Sequence, residues 1–353
     1  MYHPLPSAPA AAPAPAAAPA PATTATPTPR TNPYPGGFTE YQSVRWHARI
    51  AQRSRAYHAY RRAWEDYPAA RHVASMPLCL DLETTNFCNL KCTMCWRTSA
   101  IADGTFDALQ HMPWDLYTSL IDQCEGDVPS LKLNYYGEPL MDLRLMDRIV
   151  YAKRHGLLDV QLNTNATLLT HDRAQRLLDT GIDGVFFSVD GHTAETFNAI
   201  RVGASFEKVL DNIEGFVTLR DQGHYNTVTR VNFVCTPENE SEWPGYLAFW
   251  HERVDAVGMA PVKPSWGEDG HERTIVPDWS CAMPWQRMII SPTGVVTPCC
   301  EDNLRQYVLG SAYVETVYCM WHGAKLTALR EAHARCAYHE IALCRGCALP
   351  HMG

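Results

Sequence analysis

The stretch TTNFCNLKCTMCWR, residues 84–97, places Cys88, Cys92 and Cys95 in a C-x3-C-x2-C pattern. Thiolates at such short spacing hold soft metals and iron–sulfur clusters. A structural zinc site takes four protein ligands, one more than this loop offers. Three cysteines can instead hold three irons of a [4Fe–4S] cube and leave the fourth iron open to a substrate or cofactor. A second thiol-rich region follows much later: seven of the thirteen cysteines lie beyond residue 280.

The bulk properties fit this reading. The number of cysteines is odd, and the opening MYHPLPSAPA lacks the pattern of a secretory signal. Disulfides are therefore not expected, and a cytoplasmic protein that uses thiolates as ligands is. A formal net charge of -8 gives no electrostatic case for nucleic acid or an anionic membrane surface. No apolar run approaches the length of a membrane span. The 353 residues, 46% of them hydrophobic, allow a large core and about two domains.

The elements that would position the cysteine loop are legible downstream of a low-complexity tail. Residues 1–37 carry most of an Ala/Pro-rich segment expected to be disordered. Residues 38–76 read as a helical extension, arginine-rich, with Trp46, Ile50, Tyr57, Tyr60 and Trp64 as its packing face. From residue 77, strand patterns (PLCLDLE, SLKLNYYG, LDVQLNTN, DGVFFSVDG, TVTRVNFV, VDAVGMAPV) alternate with helical ones. One such helix carries Leu143, Met146, Ile149 and Val150 on a face and ends at Gly156. In another, Thr170 caps Ala174, Leu177 and Leu178. This alternation predicts an α/β fold, a partial (β/α)6 TIM-like barrel over residues 77–275, with the site at the carboxyl ends of its strands. Residues 276–353 lack the alternation and form a small Cys-rich domain.

The cysteine loop resembles that of the radical S-adenosylmethionine (SAM) superfamily, and further segments match in order. YYGEP, with Gly137, Glu138 and Pro139, resembles the segment that binds the methionine amino group. NTNATLL supplies Asn163 and Asn165. FSVDG, with Ser188 and Asp190, resembles the ribose-contacting strand, and Arg201 in AIRVG is placed like the arginine that pairs with the methionine carboxylate. The resemblance implies a [4Fe–4S] cluster on Cys88, Cys92 and Cys95 whose open iron binds S-adenosylmethionine. Reductive cleavage then yields a 5′-deoxyadenosyl radical that abstracts hydrogen from substrate. It also implies a flavodoxin or ferredoxin-type electron donor. Met94 departs from the family, which often has an aromatic residue there; Trp96 follows instead.

The end of the chain resembles the SPASM and Twitch auxiliary-cluster modules. Cys281, Gly294 and Cys299 give C-x12-G-x4-C, and LCRGC adds Cys344 and Cys347. The resemblance implies one auxiliary [4Fe–4S] cluster on Cys281, Cys299, Cys344 and Cys347. Cys300, Cys319 or Cys336 can substitute, and a zinc ribbon is the alternative. A closed cluster carries electrons, and the Twitch-like ending resembles that of small-molecule dehydrogenases of antibiotic biosynthesis; the resemblance implies a two-electron alcohol oxidation of a sugar, cyclitol or nucleoside-like metabolite of natural-product (antibiotic) biosynthesis. Redox-neutral epimerisation, decarboxylation and maturation of a ribosomal peptide remain alternatives. Lys263, Glu268, His271 and Arg273 in the bridge VKPSWGEDGHERT are candidate acid–base groups, and Cys235 is a candidate thiol hydrogen donor.

Overall fold

The structure is a computed structural model that describes residues 30–31, 37–262 and 273–352. Nearly all of the Ala/Pro-rich tail, and the candidates Lys263, Glu268 and His271, lie outside the described residues. In chain order the strands are β1 Arg30–Thr31, β2 Thr39–Gln42, β3 Cys79–Leu82, β4 Ser130–Lys132, β5 Asp159–Thr164, β6 Gly184–Ser188, β7 Val228–Cys235, β8 Ala256–Pro261, β9 Arg287–Ile290, β10 Val295–Thr297 and β11 Gly310–Ser311. The helices are α1 Val44–Ala51, α2 Arg55–Ala70, α3 Trp96–Ala102, α4 Trp114–Asp122, α5 Leu145–Arg154, α6 His171–Asp179, α7 Ala194–Ile200, α8 Phe206–Gln222, α9 Trp243–His251, α10 Val317–Trp321, α11 Ala324–Ala334 and α12 Ala342–Arg345.

The six expected strands, β3 to β8, pair in parallel in sequence order, as βαβ crossovers require. The sheet continues past both ends of that set. At one edge β2 adds antiparallel to β8. At the other, β9 of the Cys-rich region adds in parallel to β3, with Leu80 opposite Met288 and Leu82 opposite Ile290. The two thiol-rich regions are thereby fixed to one framework, because β9 lies between Cys281 and Cys299 while β3 runs into Cys88.

Registered residues on parallel strands share a face. Asp81, Lys132 and Gln161 form one such row, and all three line a cavity of about 680 Å3 between the strands and the N-terminal extension. The opposite face packs on helices through residues such as Leu131, Leu162, Val185, Phe187 and Val231, which are fully buried. Burying such side chains contributes on the order of 1.5–3 kcal/mol each.

Two expectations are corrected here. The N-terminal extension begins with a strand, not a helix, and its helical part is two helices. The reason is local: the side chains of Ser43 and Ser54 each accept from a backbone N–H three residues on, so each starts a helix. Tyr57, Tyr60 and Trp64 of α2 do pack, against Leu78 and Cys79. The second correction concerns α5. Leu143 precedes that helix and is 89% exposed, and the buried face is Leu145, Arg148, Ile149 and Ala152. Gly156 closes α5 with φ +82°, a left-handed conformation that favours glycine. Helices α3 and α4 lie in the first crossover, where sequence reading assigned none; α4 buries Leu116, Tyr117, Leu120 and Ile121, an ordinary i, i+4 face.

Candidate active site

A cavity of about 480 Å3 opens at the carboxyl ends of β3 to β8. Cys88, Cys92 and Cys95 line one side, with Glu138, Asn165, Ser188 and Arg201 around them; Cys300 and Cys347 of the C-terminal region line another. Burial pushes the Cys88 thiol up to about 11 and raises that of Cys92, the latter opposed by the neighbouring Arg201 guanidinium. Metal coordination reverses such a preference, since a ligating thiol is deprotonated outright.

The loops around these thiols are tied by hydrogen bonds. Glu138 N donates to Phe87 O at 2.8 Å, joining the YYGEP segment to the cysteine loop. Gly137 makes that approach possible: a Cβ there would lie 1.9 Å from the carbonyl oxygen of Thr85. The Glu138 carboxylate accepts from Leu140 N, Thr164 Oγ1 and Asn165 N. That fills three of about four acceptor positions and leaves one for an ammonium group in the cavity. Burial raises its pKa, and those three donors oppose the shift. Pro139 starts a short 3-10 turn behind it. Asn165 Nδ2 donates to Asn89 Oδ1 at 3.0 Å and lies 3.9 Å from Cys88 Sγ. The Asn163 side-chain oxygen is buried without a partner at the junction of the two cavities.

Asp190 is placed differently from the other candidates. It is fully buried and does not line the cavity. Oδ1 accepts from Val234 N at 2.7 Å and Oδ2 pairs with Arg201 at 2.5 Å. It orients Arg201 rather than facing a ribose; Ser188 is the strand's residue on the cavity wall. Cys235 also fails to reach the cavity. Val234 lines it, so the next residue on β7 points to the other face, where Cys235 packs beside the core. Cys235→Ala is therefore expected to change turnover by less than about twofold; a loss of tenfold or more in a steady-state assay would restore it as a hydrogen donor.

Glu83, and the aromatic partners of Trp96, were missed in the sequence. Glu83, at the end of β3, accepts from Tyr136 N at 2.8 Å and Gly137 N at 3.1 Å, and burial pushes it up to about 7. An acid between the first strand and the cysteine loop was the available signal. Trp96, Phe106 and Tyr136 form an aromatic cluster with centroid separations of 5.1–5.8 Å, Trp96 and Tyr136 facing the cavity. This supplies the flat apolar surface that Met94 does not.

In the C-terminal region Cys281, Cys344 and Cys347 are buried. Cys299 sits in the field of Cys300, Cys281 and Cys344, and Cys344 in that of Cys281 and Cys347. Burial pushes Cys281 up to about 12. Cys300 thus stands with the four expected cysteines, and among the described residues no group of three or more His, Cys, Asp or Glu side chains is drawn together as a metal site. Cys300 faces both cavities and lies 3.5 Å from Glu301 Oε1. Cys319 is exposed. His333, on α11, is buried and contacts Cys344 Sγ at 3.4 Å; burial depresses its pKa to about 4. Arg273 donates to the carbonyl of Gly346, beside Cys347. Among the described residues no helix is long and apolar enough to cross a membrane.

Residues 82–249 match the profile of the radical SAM superfamily and residues 281–348 that of the SPASM iron–sulfur cluster-binding domain. The "Tungsten-containing aldehyde ferredoxin oxidoreductase cofactor-modifying protein" of Pyrococcus furiosus is 32% identical over 194 residues, 52% of this chain and 51% of that protein. The mycofactocin maturase MftC of Mycobacterium tuberculosis is 27% identical over 193 residues, 54% of this chain and 46% of that one. The chain thus spans about half the length of these relatives. Among solved structures, BtrN in complex with AdoMet and 2-DOIA covers 77% of this chain and 93% of its own, with TM-score 0.53 and 19% identity. The enzyme anSMEcpe with bound AdoMet covers 77% and 90%, with TM-score 0.58 and 17% identity. At these identities the likeness is one of fold.

Proposed function

The chain belongs to the radical SAM superfamily and carries a SPASM iron–sulfur domain, and we propose that it oxidises an alcohol carbon of a small polar metabolite. The observation that carries this reading is the shared wall. One cavity touches Cys88, Cys92 and Cys95 on one side and Cys300 and Cys347 on the other. A substrate held there would lie between the site of hydrogen abstraction and a second set of cysteines, whose cluster would be the electron acceptor.

When bound, S-adenosylmethionine and its [4Fe–4S] cluster supply a 5′-deoxyadenosyl radical, with the reducing electron coming from a flavodoxin or ferredoxin-type donor. The chain's own residues do the rest. Glu138 holds the methionine ammonium at its remaining acceptor position, Arg201, fixed by Asp190, holds the carboxylate, and Trp96 with Tyr136 packs the adenine. Oxidation of H–C–OH to C=O removes one hydrogen atom, one proton and one electron. Glu301 on the wall would take the proton, and Cys281, Cys299, Cys344 and Cys347 would hold the cluster that supplies an acceptor for the electron. Lys132 makes no ion pair or side-chain hydrogen bond among the described residues and lies where the two cavities meet beside Asn163. The pair suits a polar substrate, and each cavity lies within the roughly 300–1,000 Å3 of small-molecule sites.

The test uses sugars and cyclitols deuterated at their carbinol carbons. Deuterium is expected in 5′-deoxyadenosine for a true substrate. Cys281→Ala and Cys344→Ala proteins are expected to keep that transfer, to hold about four irons instead of about eight, and to form no ketone. Ketone formation at the normal rate without the second cluster would overturn the assignment. The mycofactocin maturases among the relatives favour a second reading, a peptide substrate; deuterium transfer from a peptide alone would replace the first reading by it.

A further inference from the structure

The C-terminal region contains a buried histidine whose two ring nitrogens have different jobs. His333 lies in the last turn of α11 and is 1% exposed. Its Nδ1 accepts from the backbone N–H of Cys281 at 3.2 Å. A backbone amide can only donate, so Nδ1 is unprotonated and the imidazole carries its hydrogen on Nε2. That nitrogen lies 3.4 Å from Cys344 Sγ. The ring is held in this pose by its neighbours: Tyr338 lies parallel to it within 12°, with centroids 6.3 Å apart, and Trp279 meets it edge-on at 5.8 Å. One side chain therefore spans two of the four expected ligand positions, fixing the backbone at Cys281 and aiming a donor at the sulfur of Cys344.

We propose that His333 is a positioning residue that tunes the auxiliary cluster by donating an Nε2–H···S hydrogen bond to Cys344. This rests on Cys344 being a cluster ligand, as proposed above. Reduction adds negative charge to a cluster and its thiolates, so a donor aimed at a ligand sulfur stabilises the reduced form more than the oxidised one. The histidine makes the auxiliary cluster the better acceptor for the electron that leaves the substrate. It performs this role as a neutral donor and takes no part in proton transfer.

The test is an EPR-monitored redox titration of the reconstituted full chain. S-adenosylmethionine perturbs only the open cluster, which separates the two signals. His333→Phe keeps a ring and removes the donor. It is expected to make the auxiliary cluster about tenfold harder to reduce, a shift of about 59 mV to lower potential for one electron. His333→Gln keeps an N–H donor and is expected to recover part of that shift, with the open cluster's potential unchanged in both. An unchanged auxiliary potential in His333→Phe, or an equal shift in both variants, overturns the proposal. Should His333→Phe lose the cluster, pulsed EPR of the unaltered protein with 15N-histidine decides. Weak 15N coupling to the reduced auxiliary cluster is expected; strong coupling, as from a directly bound nitrogen, or none, overturns it. An unaltered protein holding only about four irons would instead remove the second cluster, and with it the oxidation reading.

Discussion

Gly137→Ala is expected to reduce 5′-deoxyadenosine formation by at least about 100-fold, the scale on which a misplacement of about 1 Å in a catalytic site acts. The added Cβ would lie 1.9 Å from Thr85 O, 2.7 Å from Thr85 C and 2.9 Å from Asn86 Cα. All three are backbone atoms, so none can rotate away. The clash has to be relieved by separating the YYGEP segment from the strand end that leads into the cysteine loop. That movement breaks the bond from Glu138 N to Phe87 O and the two that Glu83 accepts from Tyr136 and Gly137. Overpacking of this kind costs about 1–3 kcal/mol of stability, which a domain of this size survives. Initial rates with saturating S-adenosylmethionine, alongside iron content, check the prediction. A folded, iron-replete Gly137→Ala protein with near-normal rates would show that the close approach is incidental.

Asp190→Ala is expected to destabilise the fold by about 3–5 kcal/mol, the range for breaking a buried ion pair. Arg201 then keeps a mostly buried guanidinium on the cavity wall without its carboxylate, and Val234 N loses its acceptor. The freed guanidinium lies beside Cys92, so affinity for S-adenosylmethionine falls with stability. Ser188→Ala makes the contrast: on the cavity wall with no buried partner to strand, it is expected to weaken S-adenosylmethionine binding and leave unfolding in urea within about 0.5 kcal/mol of the parent. A normal urea midpoint in Asp190→Ala, with binding lost, would return Asp190 to direct contact with the cofactor.

These two residues also show what the sequence made legible. Gly137 and Asp190 both stand out in short motifs, and the motifs lie at strand ends around one cavity. The motif does not tell which way a side chain faces. Asp190 is on the segment that follows β6, yet its oxygens are consumed within the protein. Cys235 ends a strand beside the site, but the alternation of β7 turns it away. The six parallel strands were readable because each is a short, largely apolar run, and most are separated by periodic helical segments, of which α6 and α8 carry side-chain caps from Thr170 and Ser205. The sheet's two extensions were not. The pairing of β2 with β8 and of β9 with β3 joins segments more than 200 residues apart, and no local pattern encodes that partnership. The same pairing brings Cys300 and Cys347 to the cavity of Cys88. His333 was invisible for a related reason: a lone histidine in a helix looks like any other until its two nitrogens are seen between Cys281 and Cys344.

The central claim is that three thiolates on one side of the cavity serve S-adenosylmethionine cleavage. Anaerobic reconstitution with iron and sulfide, followed by S-adenosylmethionine and dithionite, tests it most directly. The account predicts 5′-deoxyadenosine and methionine in equal amounts, and none from a protein carrying Cys88→Ala, Cys92→Ala and Cys95→Ala. An iron-replete protein that forms no 5′-deoxyadenosine, or a triple variant that forms as much as the parent, would contradict it.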